Sequence, residues 1–300
     1  MAIIQLKEVT KQYRSKNALR GISFDIEENT ITGLIGRNGA GKTTLLKIIT
    51  GHIKATSGEA KVFGKQPFDQ LTISANSIFV DDQMSFPESL TLYEILEKAE
   101  SFYKNWDNEL ALRLFEYFSF HKKQYHSELS KGMKSTFHSI IGIASRCPLT
   151  IFDEPTTGMD SSVRKDFYRA LLKDYIAHPR TIILSSHLLG EIEELLENIL
   201  LLKEGEVVLH QSIDDMKELA IALRGNKNTI KQFIPSLDVY HEHRISEDFT
   251  YIVVENRFNK TELQKIKEAN IEVNRVPTDD LCVFLTSKTK GGIDDVFQRS

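Results

Sequence analysis

The sequence predicts an α/β fold built on a mostly parallel sheet, and three observations carry the prediction. A glycine-rich loop, Gly36-Arg37-Asn38-Gly39-Ala40-Gly41-Lys42-Thr43, joins an apolar run at residues 31–35 to an apolar-rich helical stretch at 44–49. A second apolar run, starting at Cys147, ends in two carboxylates, Asp153 and Glu154. A third, at residues 181–185, delivers His187. Apolar runs alternating with helical periodicity are the mark of strands buried on both faces, which is how parallel sheets are covered.

Along the chain, residues 3–9 and 22–26 alternate apolar and polar side chains with period two, as half-buried antiparallel strands do. Tyr13 lies between them on an expected turn, where it can stand as a surface aromatic or stack on a base. After the loop helix, residues 56–64 read as a turn and a short strand, and 77–80 as another strand ending at Asp81-Asp82-Gln83. From 91 to about 120 the period becomes 3.6, which predicts a helical block set between strands of the sheet. Residues 130–145 continue as a helix, and 162–176 as an amphipathic one with Ser161 or Ser162 as its cap. Residues 188–196 are expected to be helical, and 199–202 to pair with 207–209 as a hairpin across Glu204-Gly205. Beyond about residue 212 strand candidates (221–223, 250–254) interleave with helical stretches (229–234, 261–269), which predicts a small α+β domain without a catalytic motif.

Composition bounds what this fold can do. With 41% apolar and 27% charged residues the chain is globular, and 300 residues suffice for one large or two modest domains. The net charge of −4, without a long basic block, makes nucleic acid an unexpected partner. Cys147 and Cys282 stand far apart and outside any metal-ligand spacing, so a reduced, intracellular compartment is expected. The first residues lack the apolar core of a signal peptide, and no run approaches the ~20 apolar residues of a membrane span. Any membrane association is therefore expected to come through a partner.

The loop carries the chemistry. Its G-x-x-x-x-G-K-[ST] spacing lets backbone N–H groups turn around an anion while the following helix offers its positive N-terminus. Gly36 through Thr44 are thus the expected phosphate-binding stretch, with Arg37 facing solvent. Lys42 is expected to reach the β- and γ-phosphates and the Thr43 hydroxyl to ligate Mg²⁺. Asp153 takes the place of the Mg²⁺-side carboxylate, and Glu154 is set to polarise an attacking water.

Taken together, Tyr13, the glycine loop, Gln83, Leu129-Ser130-Lys131-Gly132-Met133, the Asp153-Glu154 strand, Gly158-Met159-Asp160 and His187 resemble, in this order, the ATP-binding subunit of an ABC transporter. The likeness covers roughly residues 2–212 and is similar in detail to single-cassette bacterial subunits of multidrug or cell-envelope-stress exporters. It implies a P-loop NTPase core of the ABC type with an antiparallel β subdomain and an inserted helical subdomain at about 88–146. The cassette would occupy 1–212 and a C-terminal accessory α+β domain 213–300.

The resemblance also implies roles. Tyr13 stacks on adenine, Gln83 touches Mg²⁺ or the attacking water, Glu154 is the general base, and His187 contacts the γ-phosphate. Ser130 and Gly132 face the γ-phosphate held by a second cassette, so ATP is sandwiched in a homodimer or heterodimer, and Asp160 is available for cross-subunit contacts or as a helix cap. Membrane-spanning permease subunits, and a cytoplasmic place on the inner face of the membrane, are implied partners and location. The Leu129–Met133 segment, the signature at the start of the 130–145 helix, departs from the family pattern at Lys131 and Met133; Lys131 either adds a cation near the phosphate or points to solvent. A soluble ATP-switched protein acting on ribosomes or DNA is the alternative. A single copy of each motif and a short, heptad-free insert argue against it.

Overall fold

The structure, a computed structural model, describes residues 1–287. The chain divides into two compact units, one from Met1 to His210 and one from Gln211 onward. The expected C-terminal domain runs to residue 300, so its last part, 288–300, lies outside the described residues.

The first unit holds β1 (Ala2–Tyr13), β2 (Lys16–Glu27), β3 (Ile31–Gly36), α1 (Lys42–Ile49), β4 (Ser57–Val62), α2 (Leu71–Asn76) and β5 (Ser77–Val80). Three helices follow, α3 (Leu92–Phe102), α4 (Asn108–Tyr117) and α5 (Lys131–Ser145). Then come β6 (Leu149–Asp153), α6 (Ser161–Ala177), β7 (Thr181–Ser186), β8 (Asn198–Lys203) and β9 (Glu206–Ser212), whose last two residues belong to the second unit. β1 pairs antiparallel with both β2 and β4 in a three-stranded sheet, the side chains of β2 alternating between core and solvent. The main sheet has the order β5-β6-β7-β3-β8-β9, and its pairs from β5 through β8 are parallel. Every residue of β3, β6 and β7 is buried, which explains why these strands read as continuous apolar runs.

This topology positions the site. β6 and β3 both flank β7, with Asp153 level with Ser185 and Ile35 level with Ser186. Parallel strands in register end at one edge, so the loop after β3, the carboxylates after β6 and His187 after β7 emerge together, where α/β sheets bind ligands. α1 buries Leu45, Leu46, Ile48 and Ile49 in the core shared by both sheets.

The helical segment is fastened by its caps. Thr91 and Glu94 form a capping box on α3, Asp107 caps α4, and Ser130 caps α5 through the Met133 N–H at 3.3 Å. Arg146, in the left-handed region at φ 43°, ties Asp107 (2.9 Å) to Asp174 (2.8 Å), which also pairs with buried Arg180. Removing one member would strand a buried charge, at a cost of about 3–5 kcal/mol.

Three local expectations change. α2 was not foreseen, because six residues with few apolar side chains give no period to read. Residues 188–196 form two 3₁₀ turns, Leu189–Glu191 and Glu193–Leu195, in place of one helix, with Gly190 inside the first. Of the caps expected for α6, Asp160 serves and Ser161 and Ser162 do not: its carboxylate accepts the N–H groups of Ser162 and Val163, both at 3.0 Å. A carboxylate is the stronger acceptor at a positive helix end, which draws the helix start back to Ser161.

The second unit contains α7 (Ile213–Glu218), β10 (Ala220–Asn226), α8 (Lys227–Phe233), β11 (Val239–Arg244), β12 (Phe249–Glu255), α9 (Lys260–Glu268), β13 (Glu272–Arg275) and α10 (Thr278–Thr286). Its sheet has the order β11-β12-β10-β13, and the pairs β11–β12, β12–β10 and β10–β13 are antiparallel. Ile221, Leu223, Ile252 and Val254 from the sheet pack with Ile230 of α8 and Ile266 of α9. His241 of β11 stacks on Phe284 of α10 at 4.3 Å.

Candidate active site

The loop after β3 is shaped by its glycines. Gly39 and Gly41 have φ of 82° and 109°, open to glycine and strained for other residues. A Cβ on Gly41 would also lie 2.7 Å from the Ala18 carbonyl, and one on Gly36 would lie 2.7 Å from that of Leu202. The loop therefore folds tightly over the end of the sheet and presents the N-terminus of α1 to a cleft of about 550 Å³, a size that suits a nucleotide.

Residues 38–44, Asp153, Glu154 and His187 line this cleft, as expected, together with Lys16, Ala18, Asp82 and Thr157. Lys42 is 6% exposed, and its ammonium donates to the Gly36 carbonyl at 2.7 Å and pairs with Glu154 Oε1 at 3.2 Å. Glu154 Oε2 lies 2.7 Å from His187 Nδ1. An ionised carboxylate only accepts, so His187 is the donor at Nδ1 and keeps Nε2 for a second partner. Asp153 accepts the Thr43 hydroxyl at 2.6 Å and the Ser185 hydroxyl at 2.5 Å.

Glu154 itself has φ 51°, a left-handed conformation costing a non-glycine residue roughly 1–2 kcal/mol. Its neighbours hold it there. Its N–H donates to Ser185 Oγ at 2.9 Å, while its carbonyl accepts Thr157 N–H (3.2 Å) and Oγ1 (2.9 Å). The bend turns the side chain off the strand direction toward Lys42 and His187.

The donor set suits the groups the sequence implies. Thr43 Oγ1 and Asp153 Oδ2 offer hard oxygens side by side, the kind Mg²⁺ prefers, and a buried ammonium beside a helix N-terminus fits polyphosphate.

Other expected residues lie outside the cleft lining. Tyr13 ends β1, 46% exposed, with Lys11 over its ring at 5.1 Å. Gly36 lies beneath the loop, and Arg37 is exposed as expected. Gln83 is not among the cleft-lining residues, its Oε1 accepting Lys47 Nζ at 3.3 Å, while the neighbouring Asp82 lines the cleft. Ser130, Gly132 and Asp160 sit at helix starts, where α5 meets the 157–159 turn. Gly132 packs so closely on that turn that its added Cβ would fall 2.2 Å from the Gly158 carbonyl, and Ser135 Oγ donates to the Thr157 carbonyl at 2.9 Å. Lys131 lines a second cavity of about 260 Å³ with Asp82, Lys134, Ser135 and His138.

Of the residues missed, Lys16 shares a hairpin register with Tyr13, and Thr157 follows the carboxylate pair by three positions. Those placements were the available signals. Asp82 could have been found only by knowing how the turn after β5 is wound.

A parallel sheet with a phosphate loop, two carboxylates at the end of β6 and a histidine beside the second of them has the make-up of a nucleotide-hydrolysing P-loop protein. Residues 19–157 match the ABC transporter family. The "ABC transporter ATP-binding protein YtrB" of Bacillus subtilis is 28% identical over 242 residues, covering 79% of this chain and 83% of that protein. The "Uncharacterized ABC transporter ATP-binding protein MJ1023" of Methanocaldococcus jannaschii is 32% identical over 236 residues, covering 77% of this chain and 87% of that protein. A solved "Structure of ATP binding subunit of ABC transporter" superposes with a TM-score of 0.65 at 25% identity, covering 72% of this chain and 92% of that one. The chain belongs to the ABC transporter ATP-binding family. It is an ATPase whose substrate and metal are ATP and Mg²⁺.

Proposed function

We propose that this cleft hydrolyses ATP with Glu154 as general base and Lys42 and His187 as its phosphate contacts, and that the work drives export through separate membrane-spanning permease chains. The observation that carries the catalytic reading is the continuous chain Lys42–Glu154–His187 beside the Thr43–Asp153 pair. Mg²⁺ held by Thr43 and Asp153 would neutralise charge on the β- and γ-phosphate oxygens. Lys42 exchanges Glu154 for those oxygens, which frees Oε1 to accept the proton of the attacking water. His187 keeps Glu154 aimed through its Nδ1–H, and in the imidazolium form offers Nε2–H to the γ-phosphate.

Ser130 and Gly132, at the start of the 15-residue helix α5, suit the phosphate of a second cassette, since a helix N-terminus attracts anions. Two chains, alike or different, would then close on two nucleotides. Tyr13 is assigned to the base and Asp160 to the facing chain as well as to its cap. Among the described residues no helix is long and apolar enough to cross a membrane, so the permease chains supply the path and hold this subunit at the inner face.

The test is Mg²⁺-dependent ATP hydrolysis by the purified chain. Glu154→Gln should lower kcat by about 100-fold or more, the scale of a lost general base, with nucleotide still bound. A variant keeping most of its turnover would remove Glu154 from that role. Recovery from membranes together with hydrophobic chains supports the transport reading, and recovery only with ribosomes overturns it.

A further inference from the structure

The apolar run of β7 ends in two hydroxyls, Ser185 and Ser186. Side chains alternate across a sheet, so Ile183 and Ser185 share a face, as do Ile151 and Asp153, which lie level with them on β6. Ile151, Ile183 and Leu34, the β3 neighbour of Ser185, belong to the core that packs with Leu45 and Leu46 of α1. An aliphatic side chain at 185 would continue that core. A hydroxyl stands there instead, in a residue that is 1% exposed and level with Asp153.

A hydroxyl has one proton to give and lone pairs to share, and Ser185 uses both. It donates to Asp153 Oδ1 at 2.5 Å and accepts the N–H of Glu154 at 2.9 Å. The other oxygen of Asp153 takes the Thr43 hydroxyl at 2.6 Å. Asp153 is thus gripped from two sides, with Oδ1 turned to Ser185 and Oδ2 beside Thr43. Among the described residues no other hydrogen bond reaches Oδ1. Glu154 is gripped at its backbone: the bend at φ 51° aims its side chain at Lys42 and His187, and the N–H that starts this bend ends on Ser185.

We propose that Ser185 is a positioning residue for both carboxylates at once. Its proton fixes the side-chain rotation of Asp153, and its lone pair fixes the backbone bend of Glu154. The inference rests on the roles given to Asp153 and Glu154 in the proposed function. Ser185 touches neither nucleotide nor metal, and no proton passes through it. Without its hydroxyl, Asp153 keeps Thr43 alone, and the Glu154 N–H loses its partner, the costly way to break a hydrogen bond. Both losses fall on metal binding and hydrolysis, because among the described residues Ser185 makes no hydrogen bond to the phosphate loop that would hold the nucleotide.

The experiment uses the full chain and reads binding and turnover separately. Ser185→Ala removes one oxygen and adds no bulk. It should weaken Mn²⁺ binding with a non-hydrolysable ATP analogue by about 10- to 100-fold, as for other partners that orient a metal ligand, read from the spin-resonance signal of free Mn²⁺. At saturating Mg²⁺ its kcat should still fall about 10-fold or more, while a fluorescent ATP analogue binds without metal to within a few-fold of wild type. Ser185→Thr keeps the hydroxyl and should restore both properties. In the Glu154→Gln background Ser185→Ala should reduce the residual turnover far less, because the base it positions is gone. Wild-type metal affinity or wild-type kcat in Ser185→Ala, a Ser185→Thr chain as impaired as Ser185→Ala, or an equal fold-loss of turnover in both backgrounds overturns the proposal. Two single variants separate the levels. If Asp153→Ala weakens Mn²⁺ binding and Glu154→Gln lowers kcat while Ser185→Ala does neither, only this proposal falls. If Asp153→Ala keeps its metal or Glu154→Gln keeps its turnover, the reading of the cleft falls and takes the proposal with it.

Discussion

Gly132→Ala is the smallest change that tests how the signature helix is joined to the hydrolytic residues. A methyl group there would sit 2.2 Å from the Gly158 carbonyl oxygen, 2.8 Å from its carbon and 3.3 Å from Met159 N, all backbone atoms. Ordinary contact needs about 1 Å more room, and no side-chain rotation can provide it. The turn must move away from α5, which pulls the Thr157 carbonyl off Ser135 Oγ, now at 2.9 Å. Thr157 also holds the Glu154 carbonyl through N–H and Oγ1 and so helps keep Glu154 at φ 51°. Over-packing of this kind costs about 1–3 kcal/mol, and a catalytic group displaced by ~1 Å can lose up to about 100-fold in rate.

Denaturant unfolding without nucleotide reads the first effect, because the clash lies within one chain. Steady-state hydrolysis together with binding of a fluorescent ATP analogue reads the second. The expected result is lowered stability and turnover with nucleotide affinity kept within a few-fold. Wild-type stability and turnover would refute the argument that this contact transmits position.

Two further perturbations follow from the same contacts. Thr43→Val removes the hydroxyl that donates to Asp153 at 2.6 Å, and leaves that buried carboxylate with Ser185. Stability without metal should fall by about 1.5–3 kcal/mol, as for hydrogen bonds to charged groups, and Mg²⁺ should be required at higher concentration for hydrolysis. Unaltered metal dependence would exclude Thr43 as a ligand. Burial, with help from the neighbouring His126, pushes His138 down to about 4, against an ordinary value of 6.5. The neutral ring is the one that fits, so its contribution is complete above pH 6.5, declines as pH falls and is lost below about 4. That span corresponds to about 3 kcal/mol at ~1.4 kcal/mol per unit. Denaturation series from pH 7 to pH 4 should show this loss, and His138→Asn should flatten it; equal slopes would contradict the assignment.

What could be read in the sequence follows from which signals are local. The glycine loop, the apolar strands and the carboxylate pair each declare themselves within about ten residues, and the parallel register of β3, β6 and β7 then brings them together. The turn after β5 was less legible. Asp81, Asp82 and Gln83 are all polar, and only the winding of the turn, fixed by His138 in a helix more than fifty residues away, decides which one faces the cleft. β11 and β13 were missed for another reason. Both are sheet edges whose mostly exposed, polar side chains show no alternation, as edges that must not pair further tend to be. In the 189–195 stretch, apolar spacing suggested a helix, but the backbone makes only 3₁₀ turns there.

The central claim is that the cleft is half of a site completed by the signature helix of a second cassette. Light scattering of Glu154→Gln with and without ATP tests it most directly. ATP should convert the variant from monomer to dimer, and Gly132→Ala placed in the same background should prevent the conversion while nucleotide still binds. A Glu154→Gln chain that binds ATP and stays monomeric would contradict the sandwich for the chain paired with itself. If it also stayed monomeric with every cassette that co-purifies with it, the claim would fail altogether.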